Sequence, residues 1–558
     1  MAFTLQLIKK LNLYTLKLSS LNMKEDIILK YTLQNAVNFK GKANPGAVLG
    51  KILQENPKLK AKIRELTKKI SEVVSKVNQL SVPEQETQLL AFTFKKQRKK
   101  ERDLFSILRI KGKVRTAFPP GPEKYPHLGH AKALVLNYEL AKRHKGGFYL
   151  RFEDTNPGLV KKEYYEIMLD NFSWLGVKWD KLQYASDNME LFYSYAKKLL
   201  EKEKAYVCHC SKESISDSRL KSIECECRKD NISWSDFLKK KKGILRLKGD
   251  MGHKNTTMRD PTLFRFVNTK HARQGSRYSL WPNYDFQNAV MDGHFKITHR
   301  LRSKEFELRA ELQQYLQKLV NLHQTKTYEF GRLNLEGVES SGRIIREKIN
   351  NKELLGWDDP RLTTIVALRR RGFLAQAIYD FVLSTGISKA ESTLAWDDLI
   401  AKNKKILDPI AHRYFFVENP KKIKIKNAPH VKASAPLHPD HPEKGFRVFN
   451  TADEFYIQDD LEKDSIYRFM HLFNFKKLEF VSEELDPRLD AKMIHWLPAA
   501  KDLVNVEVVM PDASVKKGLG EPLLREVKVG DVVQGERFGF MKLDKKEKDK
   551  LKFYFTHR

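Results

Sequence analysis

The sequence contains very little cysteine, and the cysteines it has are confined to one place. Only four occur in 558 residues, and all four lie between residues 208 and 227. A small secreted protein held together by disulfides would distribute its cysteines along the chain, so the sequence argues against that class. Clustering in an otherwise cysteine-free chain favours a metal site in a reducing compartment, and we therefore expect a cytoplasmic protein.

Long apolar runs are missing too, and the N-terminus lacks acidic residues. No segment approaches the roughly 18 to 20 apolar residues that span a bilayer, so we expect no membrane partner. Residues 1–22 contain lysine but no acid, yet polar residues interrupt their apolar run and no cleavage-like site follows. We expect a disordered extension, or, as an alternative, a true start at Met23.

Acidic residues are few relative to basic ones. Lys and Arg number 103 against 70 for Asp and Glu, which gives a formal net charge of +33. Such a surplus favours a polyanionic partner, because neutralising phosphates releases condensed counterions and raises affinity. Solubility or a lineage-wide composition is the alternative. Hydrophobic residues make up 41% of the chain, enough for packed interiors, and the length predicts three to five domains.

The middle of the chain has the pattern of an α/β domain. Residues 113–118 and 148–152 are predicted strands, and the helix between them begins near Gly129 and has Gly146 as its C-cap. A strand, a helix and a strand within about forty residues form a βαβ unit. This unit predicts a doubly wound parallel sheet.

The two ends of the chain have different sequence patterns, helical near the N-terminus and β-rich near the C-terminus. Apolar residues spaced three or four apart form one stripe between positions 60 and 80, which predicts a helical domain over residues 23–103 that includes a basic linker at 95–100. After Pro409, short β-rich runs separated by Pro, Gly and Asp predict one or two β-barrels. These runs are 413–417, 422–425, 506–510 and 552–556.

The segment His127-Leu128-Gly129-His130 lies where the first predicted strand is followed by the first predicted helix. Free N–H groups at a helix start bind anions, and a glycine there lets a nucleotide approach the backbone. The imidazoles of His127 and His130 can donate hydrogen bonds to a triphosphate. This placement favours nucleotide binding over the alternative, two surface histidines near a turn.

Longer motifs make the sequence similar to a known family. The motifs are 118–120 (FPP), 127–133 (HLGHAKA), 150–157 (LRFEDTNP), 356–362 (GWDDPRL) and 552–558 (KFYFTHR). They resemble class I aminoacyl-tRNA synthetases of the glutamyl/glutaminyl branch, and within it the archaeal type of glutamyl enzyme, over nearly the whole chain from Met23. The resemblance implies a ligase that uses ATP and Mg²⁺ to form an aminoacyl-adenylate and then transfers the amino acid to tRNA.

The same resemblance implies a domain order and a set of partners. We expect a Rossmann-type catalytic domain in two halves around an acceptor-binding insertion, then a helical connecting domain and antiparallel β-barrels that bind the anticodon. Glutamate, ATP and tRNA-Glu are the expected partners, tRNA-Gln is left open, and a monomer is expected. The boundaries are 104–205 and 276–350 for the halves, 206–275 for the insertion, 351–408 for the connecting domain and 409–558 for the barrels.

Four of the five residues of the expected amino-acid site match the family. By resemblance Glu153 receives the substrate ammonium, and Tyr284 and Asn288 form a second wall. Arg302 stands where the branch has arginine in glutamyl enzymes and typically cysteine in glutaminyl enzymes. A carboxylate substrate favours a guanidinium, whereas a neutral amide gains little from one. The alternatives are an ordinary strand-end acid for Glu153 and a structural salt bridge for Arg302.

One position of the amino-acid site departs from the family. Many relatives have arginine immediately before the Phe118 position, where this chain has Ala117. Arg115 lies two residues earlier and shares a strand face with Ala117, so we expect it to bind the substrate carboxylate instead. The glutamyl enzyme has two alternatives. One is a glutaminyl enzyme, and the other is a non-catalytic tRNA-binding paralogue, which the departure at Ala117 supports.

A second departure concerns the loop that neutralises pyrophosphate in the family. Ser340, Ser341 and Gly342 suit a mobile phosphate-binding loop, and Arg343 is the candidate for the cation, with Arg346 as the alternative. A plain loop at a helix entry is the other interpretation. The predicted catalytic residues are His127, His130 and Arg343, and the predicted ATP site consists of these with Gly129, Ser340 and Ser341.

The cysteines follow a CxC…CxC pattern formed by Cys208, Cys210, Cys225 and Cys227. Four thiolates satisfy tetrahedral zinc, and an all-cysteine site is structural rather than catalytic. A small insertion has little core of its own without such a site. We expect structural Zn²⁺, with free thiols or paired disulfides as the alternatives.

Overall fold

The structure, a computed structural model, divides into two compact units, Met1–Arg102 and Asp103–Arg558. The expected extension 1–22, the basic linker 95–100 and Ser340 lie outside the residues that the structure describes. The described residues are 23–39, 41–55, 59–60, 63–92, 104–108, 110, 112–338, 341–390 and 392–558.

In the part of the first unit that the structure describes, four helices surround one apolar cluster. They are α1 Met23–Asn38, α2 Pro45–Glu55, α3 Ile63–Val77 and α4 Val82–Leu89. Ile70 and Val74 of the predicted stripe are buried against α1 and α2, whereas Ile63 in the first turn of α3 is exposed. The stripe therefore packs over a shorter length than its spacing suggests.

The second unit begins with alternating strands and helices. In chain order they are β1 Arg115–Phe118, α5 Leu128–Arg143, β2 Gly147–Phe152, α6 Lys162–Trp174, β3 Lys181–Tyr184, α7 Met189–Glu201, β4 Ala205–Cys208, α8 Lys212–Lys221, α9 Trp234–Lys240, β5 Ile244–Leu247, β6 Thr262–Phe266, β7 Leu280–Pro282, α10 Tyr284–His294, β8 His299–Ser303, α11 Glu307–Leu319, β9 Lys326–Phe330, β10 Leu333–Leu335, α12 Gly342–Asn350, α13 Ile365–Arg371, α14 Ala375–Ser384, β11 Ser392–Leu394 and α15 Trp396–Leu407.

Five of these strands form a parallel sheet in the order β3-β2-β1-β8-β9. The predicted βαβ unit is β1-α5-β2, and the apolar face of α5 packs on the sheet. The strand order reverses between β1 and β8, and ligands of such sheets bind outside the carboxyl ends of the strands at this point. The predicted doubly wound parallel sheet is confirmed.

The end of α5 differs from the prediction. Lys145, not Gly146, has the left-handed backbone, with φ of 49°. The N–H of Gly146 donates to the carbonyl of Ala141 at 2.8 Å, so the helix ends in a Schellman motif. Gly146 is required for another reason, because a Cβ there would lie 2.1 Å from the carbonyl oxygen of Val114 on the neighbouring segment.

An antiparallel sheet, β4-β5-β6-β7, interrupts the parallel sheet between β3 and β8. Its apolar face packs with α7, α10 and α11, which return the chain to the parallel sheet. The four cysteines lie at and after the end of β4, next to α8. Helices α12 to α15 follow the parallel sheet, and α13, α14 and α15 lie within residues 351–408, where a helical connecting domain is expected.

Residues beyond α15 form mostly strands. In chain order they are β12 Arg413–Tyr414, β13 Phe416–Glu418, β14 Lys421–Lys424, β15 Lys432–Pro436, β16 Phe446–Asn450, β17 Glu454–Ile457, β18 Ile466–Phe469, β19 Asn474–Lys476, β20 Glu479–Ser482, β21 Lys492–Ile494, β22 Leu497–Pro498, β23 Val504–Val509, β24 Val515–Gly520, β25 Val532–Gly535, β26 Gly539–Glu547 and β27 Lys550–His557.

Seven of these strands form one sheet in the order β12-β25-β26-β27-β23-β24-β13. Its two outer strands, β12 and β13, are separated by a single residue in the chain, so the sheet curls into a nearly closed barrel. The pairs β12–β25 and β23–β27 are parallel, which corrects the expectation of a purely antiparallel barrel. A second apolar cluster lies among the smaller sheets formed by strands between residues 421 and 498. No helix in the described part of the chain combines the length and apolarity needed to cross a membrane.

Candidate active site

A cavity of about 1290 Å³ lies at the carboxyl ends of β1 and β8. Phe118 at the end of β1 and Ser303 at the end of β8 both line it, which matches the reversal of strand order at this point. The start of α5, residues of the insertion and residues that follow β9 also line the cavity. Of the predicted residues, the cavity wall contains His127, Gly129, His130, Glu153, Tyr284, Arg302 and Ser341.

Two histidines cap the start of α5. His127 is the N-cap residue, and its Nδ1 accepts a hydrogen bond from the N–H of Gly129 at 3.0 Å. The Nδ1 of His130 accepts from the N–H of His127 at 3.3 Å. Each ring therefore satisfies a backbone donor with one nitrogen, which leaves Nε2–H as a donor for a ligand.

Both histidines are neutral at physiological pH. Burial, reinforced by the positive charge of Lys124, lowers the pKa of His127 to about 3. Burial also holds the pKa of His130 well below its usual value, and His127 and Lys124 add to the effect. Protonation of either Nδ1 would break a capping bond as well. The pair can therefore donate hydrogen bonds to an anion without carrying a charge of its own.

Gly129 is confined by the ring that caps the helix. A Cβ on residue 129 would lie 2.8 Å from Cε1 and 3.0 Å from Nδ1 of His127, so the ring would have to move and lose its bond to the backbone. We expect Gly129→Ala to weaken ATP binding about tenfold, the effect of losing a helix cap. Calorimetric titration with a non-hydrolysable ATP analogue measures this. Gly50→Ala is the control, because a Cβ at Gly50 meets nothing within 4 Å.

Glu153 lies immediately after β2 and is largely buried. The guanidinium of Arg151 is 3.4 Å from its carboxylate, and the side-chain amide of Asn288 donates to the same oxygen. Asn288 is fully buried, so it supports Glu153 rather than lining the cavity. Burial raises the pKa of Glu153 to about 7, although Arg151 and two further arginines oppose the shift.

Arg302 extends from β8 into the same wall. One of its nitrogens donates to the hydroxyl of Tyr284, and another donates to the side-chain oxygen of Gln313 at 3.0 Å. Its guanidinium also lies 4.4 Å from the ring centre of Phe306. The residue predicted to recognise a carboxylate is thus held by neutral partners, with no carboxylate of the described chain paired to it.

Arg302 belongs to a group of five charged side chains that we call the buried charge cluster: Arg151, Glu153, Asp292, Arg300 and Arg302. Asp292 accepts a hydrogen bond from Arg151 at 2.7 Å and forms an ion pair with Arg300, with 2.5 Å between the nitrogen and the oxygen. All three side chains are at least 97% buried. With both acids ionised, the buried charge cluster has one positive charge in excess. Isolated charges are costly to bury, so the excess favours an anionic ligand.

Three members of the buried charge cluster were not predicted from the sequence: Arg151, Asp292 and Arg300. A signal was present for Arg300, because it lies two residues before Arg302 and therefore on the same face of β8. Asp292 lies 141 positions from Arg151, and only the packing of α10 on the sheet brings their side chains together.

The structure does not bring Arg115 to the cavity. Arg115 begins β1, whereas the cavity lies at the opposite end of that strand. Its guanidinium donates to the carbonyl of Phe295 at 3.0 Å and lies 5.5 Å from the ring centre of Tyr149. The expectation that Arg115 replaces the arginine missing at Ala117 is wrong, because sharing a strand face does not place two residues at the same end of a strand.

The predicted phosphate loop meets the cavity only in part. Ser341 and Gly342 line the wall, but Arg343 is exposed and does not. Arg346 donates to the carbonyl of Glu123 at 3.3 Å. The cation packed against this loop is Lys124, whose side chain would meet a Cβ on Gly342 at 2.6 Å. Lys124 was not predicted from the sequence as part of the site, although it lies three residues before His127.

The four cysteine sulfurs lie together in the insertion, all within 4.8 Å of one another. The Sγ atoms of Cys208 and Cys225 are 3.7 Å apart, those of Cys210 and Cys225 3.6 Å, and those of Cys210 and Cys227 3.9 Å. Four sulfurs each about 2.3 Å from a tetrahedral zinc are about 3.8 Å apart. A disulfide needs about 2.05 Å, so the arrangement fits a metal and not disulfides.

Comparison with protein-family models gives three consecutive matches. Residues 113–409 match the model described as "tRNA synthetases class I (E and Q), catalytic domain". Residues 411–491 and 493–544 match two models, each described as "tRNA synthetases class I (E and Q), anti-codon binding domain". The first match contains the whole cavity wall described above.

Curated proteins are similar over nearly their full length. The glutamate–tRNA ligase of Pyrococcus abyssi is 39% identical over 573 residues, which is 96% of this chain and 100% of the relative. The glutamate–tRNA ligase of Methanocaldococcus jannaschii is 38% identical over 554 residues, again 96% of this chain and 100% of the relative. The likeness therefore covers nearly the whole of this chain and of each relative.

Proposed function

The chain belongs to the class I tRNA synthetases for glutamate (E) and glutamine (Q), and we propose that its buried charge cluster makes it the glutamate enzyme, a glutamate–tRNA ligase. Such an enzyme activates glutamate with ATP as glutamyl-adenylate and transfers the glutamyl group to the 3′-terminal adenosine of tRNA. The observation that supports the choice of glutamate is the excess positive charge beside Glu153.

Charge balance favours glutamate over glutamine. Glutamate brings one ammonium and two carboxylates, so it cancels the single excess charge of the cluster, whereas glutamine leaves that charge unpaired. We assign the γ-carboxylate to Arg302 and the ammonium to Glu153, with Tyr284 and Asn288 holding these two side chains. Arg300 lines the cavity and takes the carboxylate contact that was expected of Arg115.

The first chemical step joins an oxygen of the substrate α-carboxylate to the α-phosphorus of ATP and breaks the bond to pyrophosphate. His127 and His130 donate Nε2–H hydrogen bonds to phosphate oxygens. Lys124, rather than Arg343, compensates the charge of the departing pyrophosphate. Mg²⁺ on the phosphates supplies further neutralisation when ATP binds. In the second step the 2′-hydroxyl of the terminal adenosine attacks the activated carbonyl and forms an ester. The bond between the carbonyl carbon and the phosphate oxygen breaks, and AMP and the hydroxyl proton are released.

The C-terminal strands are the region for anticodon recognition, since residues 411–544 match the anticodon-binding models. Single-stranded bases of a tRNA loop are recognised by stacking and by hydrogen bonds to their edges. tRNA-Glu is the proposed partner, and charging of tRNA-Gln is a question for the assay described below. A monomer in the cytoplasm remains our prediction.

We propose that Cys208, Cys210, Cys225 and Cys227 hold a structural Zn²⁺. Cys210 and Cys225 are at the two ends of a segment that contains α8, and Arg219 of α8 lines the cavity. Arg219 donates to the carbonyl of Thr256 at 2.6 Å. The metal would therefore hold the segment that presents Arg219 to the cavity.

Cys210→Ser is expected to remove the metal, because three thiolates and a hydroxyl bind zinc far more weakly than four thiolates. Native mass spectrometry should show one zinc per wild-type chain and none per variant. His209→Ala is the matched control: His209 lies between two ligands, but its ring is not part of the sulfur cluster. Equal zinc content in Cys210→Ser and wild type would refute the site.

Aminoacylation of total tRNA with radiolabelled glutamate or glutamine, each with ATP and Mg²⁺, tests the function itself. We expect incorporation of glutamate and none of glutamine. Purified tRNA-Glu and tRNA-Gln as separate substrates then show whether both are charged. Charging with glutamine would move the chain to the glutaminyl branch, and charging with neither, despite tight tRNA binding, would identify a non-catalytic paralogue.

A further inference from the structure

A buried histidine of the insertion contacts the backbone next to the amino-acid site. His271 lies in the loop after β6 and is only 3% exposed. Its Nε2 is 2.6 Å from the carbonyl oxygen of Asp154, the residue that follows Glu153. The reaction described above makes no use of His271.

The hydrogen bonds of His271 determine its tautomer. Its Nδ1 accepts from the N–H of Arg273 at 3.1 Å and from the N–H of Gln274 at 3.0 Å. With Nδ1 occupied as an acceptor, Nε2 bears the hydrogen and donates it to the carbonyl of Asp154. Burial lowers the pKa of His271, which favours this neutral form. The ring also stacks on Trp281, with centroids 4.9 Å apart.

Asp154 is held by its side chain as well as by its carbonyl. One carboxylate oxygen accepts from the N–H of Ser186, and the other accepts from the hydroxyls of Ser186 and Tyr165, each at 2.7 Å. Asp154 is fully buried. Because both the carbonyl and the carboxylate of Asp154 are bound, the backbone just after Glu153 has little freedom to shift.

The loop that contains His271 also contacts Asp187, the residue after Ser186. Arg273 forms an ion pair with Asp187 at 2.8 Å, and the side-chain amide of Gln274 donates to Asp187 at 2.7 Å. The guanidinium of Arg273 also lies 3.5 Å from the ring centre of Tyr184, the last residue of β3. The insertion is therefore joined to the end of β3 and to Asp154, which is the residue next to Glu153.

We propose that His271 is a positioning residue for glutamate: its Nε2–H bond to the carbonyl of Asp154 fixes the backbone from which Glu153 reaches the substrate ammonium. The insertion thereby helps to complete the amino-acid site. This proposal rests on the role assigned to Glu153 in the proposed function.

Two substitutions of His271 test the two ring nitrogens separately. The oxygen of an asparagine side chain occupies nearly the position of Nδ1, so His271→Asn can keep the bonds to Arg273 and Gln274 but loses the donor to Asp154. The amide nitrogen of glutamine reaches nearly the position of Nε2, so His271→Gln can keep that donor. We expect His271→Asn to raise KM for glutamate about tenfold, the effect of a lost hydrogen bond to a buried carbonyl.

The test is aminoacylation kinetics with the full chain, with KM measured for glutamate and for ATP. His271→Gln should leave the glutamate KM within about twofold of wild type, and neither variant should change the ATP KM by more than that. His323→Asn, an exposed histidine, is the control. Equal effects of Asn and Gln, or parallel rises in both KM values, would show a purely structural contact and overturn the proposal. Wild-type chain that charges no tRNA refutes the function instead.

Discussion

Replacing Arg302 with methionine should lower kcat/KM for glutamate about 10³-fold, the largest effect we expect of any single substitution. Leaving a carboxylate without its cation in a buried site costs about 3 to 5 kcal/mol, and each 1.4 kcal/mol is about tenfold. Arg302 is 6% exposed, so little water can replace it. Steady-state aminoacylation at saturating tRNA and ATP measures the loss, which should fall on glutamate and not on the KM for ATP.

The loss should have a second component. Arg302 is one of the three arginines whose charge opposes the rise in the pKa of Glu153. Without Arg302 that pKa rises further, and a larger fraction of Glu153 is protonated at neutral pH. Arg302→Lys keeps the charge but not the planar pair of donors, so its activity should lie between those of wild type and Arg302→Met.

Arg64→Met is the control for Arg302→Met, because Arg64 is an exposed arginine on α3 in the other compact unit. Unchanged glutamate kinetics in Arg302→Met would refute the role of Arg302. An equal loss in both variants would attribute the effect to the change of residue type rather than to the site.

The sequence was sufficient for the parts of the site that depend on local pattern. A strand, a glycine-containing helix start and a second strand lie within about forty residues, so the position of His127 relative to β1 followed from short-range periodicity. Glu153 and Arg302 were predicted from the resemblance of their motifs to the family. Each lies at the carboxyl end of its strand, where a parallel sheet binds ligands.

The parts that depend on packing could not be predicted in this way. Whether Asp292 meets Arg151 and Arg300 depends on how α10 packs on the sheet, and no local spacing encodes that. For Arg115 the local pattern gave the face of the strand, but it was taken to lie near the wrong end. Arg115 begins β1, whereas the cavity lies at the carboxyl end of that strand. In the C-terminal barrel, β12 pairs with β25, more than a hundred residues later, so its parallel direction was not visible in either segment.

Glu153 should make glutamate recognition dependent on pH. Its pKa is raised to about 7 by burial, and only the ionised carboxylate pairs with the substrate ammonium. The productive form is therefore populated above pH 7 and is lost as pH falls below it. We expect kcat/KM for glutamate to decrease about tenfold per pH unit below that value, because kcat/KM reports the ionisation of the free enzyme.

The histidines of the cavity do not account for such a profile. His127, with a pKa of about 3, and His130, whose pKa is also strongly lowered, stay neutral down to acidic pH. Glu153→Gln removes the titrating group while keeping its shape. In this variant kcat/KM should no longer fall as the pH drops below 7, which is the acid limb of the profile. At pH 8 its kcat/KM should be about 10² to 10³ times lower than that of wild type, the loss typical of a buried charge pair.

Glu166→Gln is the matched control, because Glu166 is an exposed acid on α6 and should leave the profile unchanged. An acid limb that persists in Glu153→Gln would assign the titration to another group. A limb that moves to lower pH in wild type at saturating glutamate would support Glu153, because bound ammonium favours the ionised carboxylate and lowers its pKa in the complex. Comparing the profile of kcat with that of kcat/KM thus locates the proton on the residue that binds the substrate.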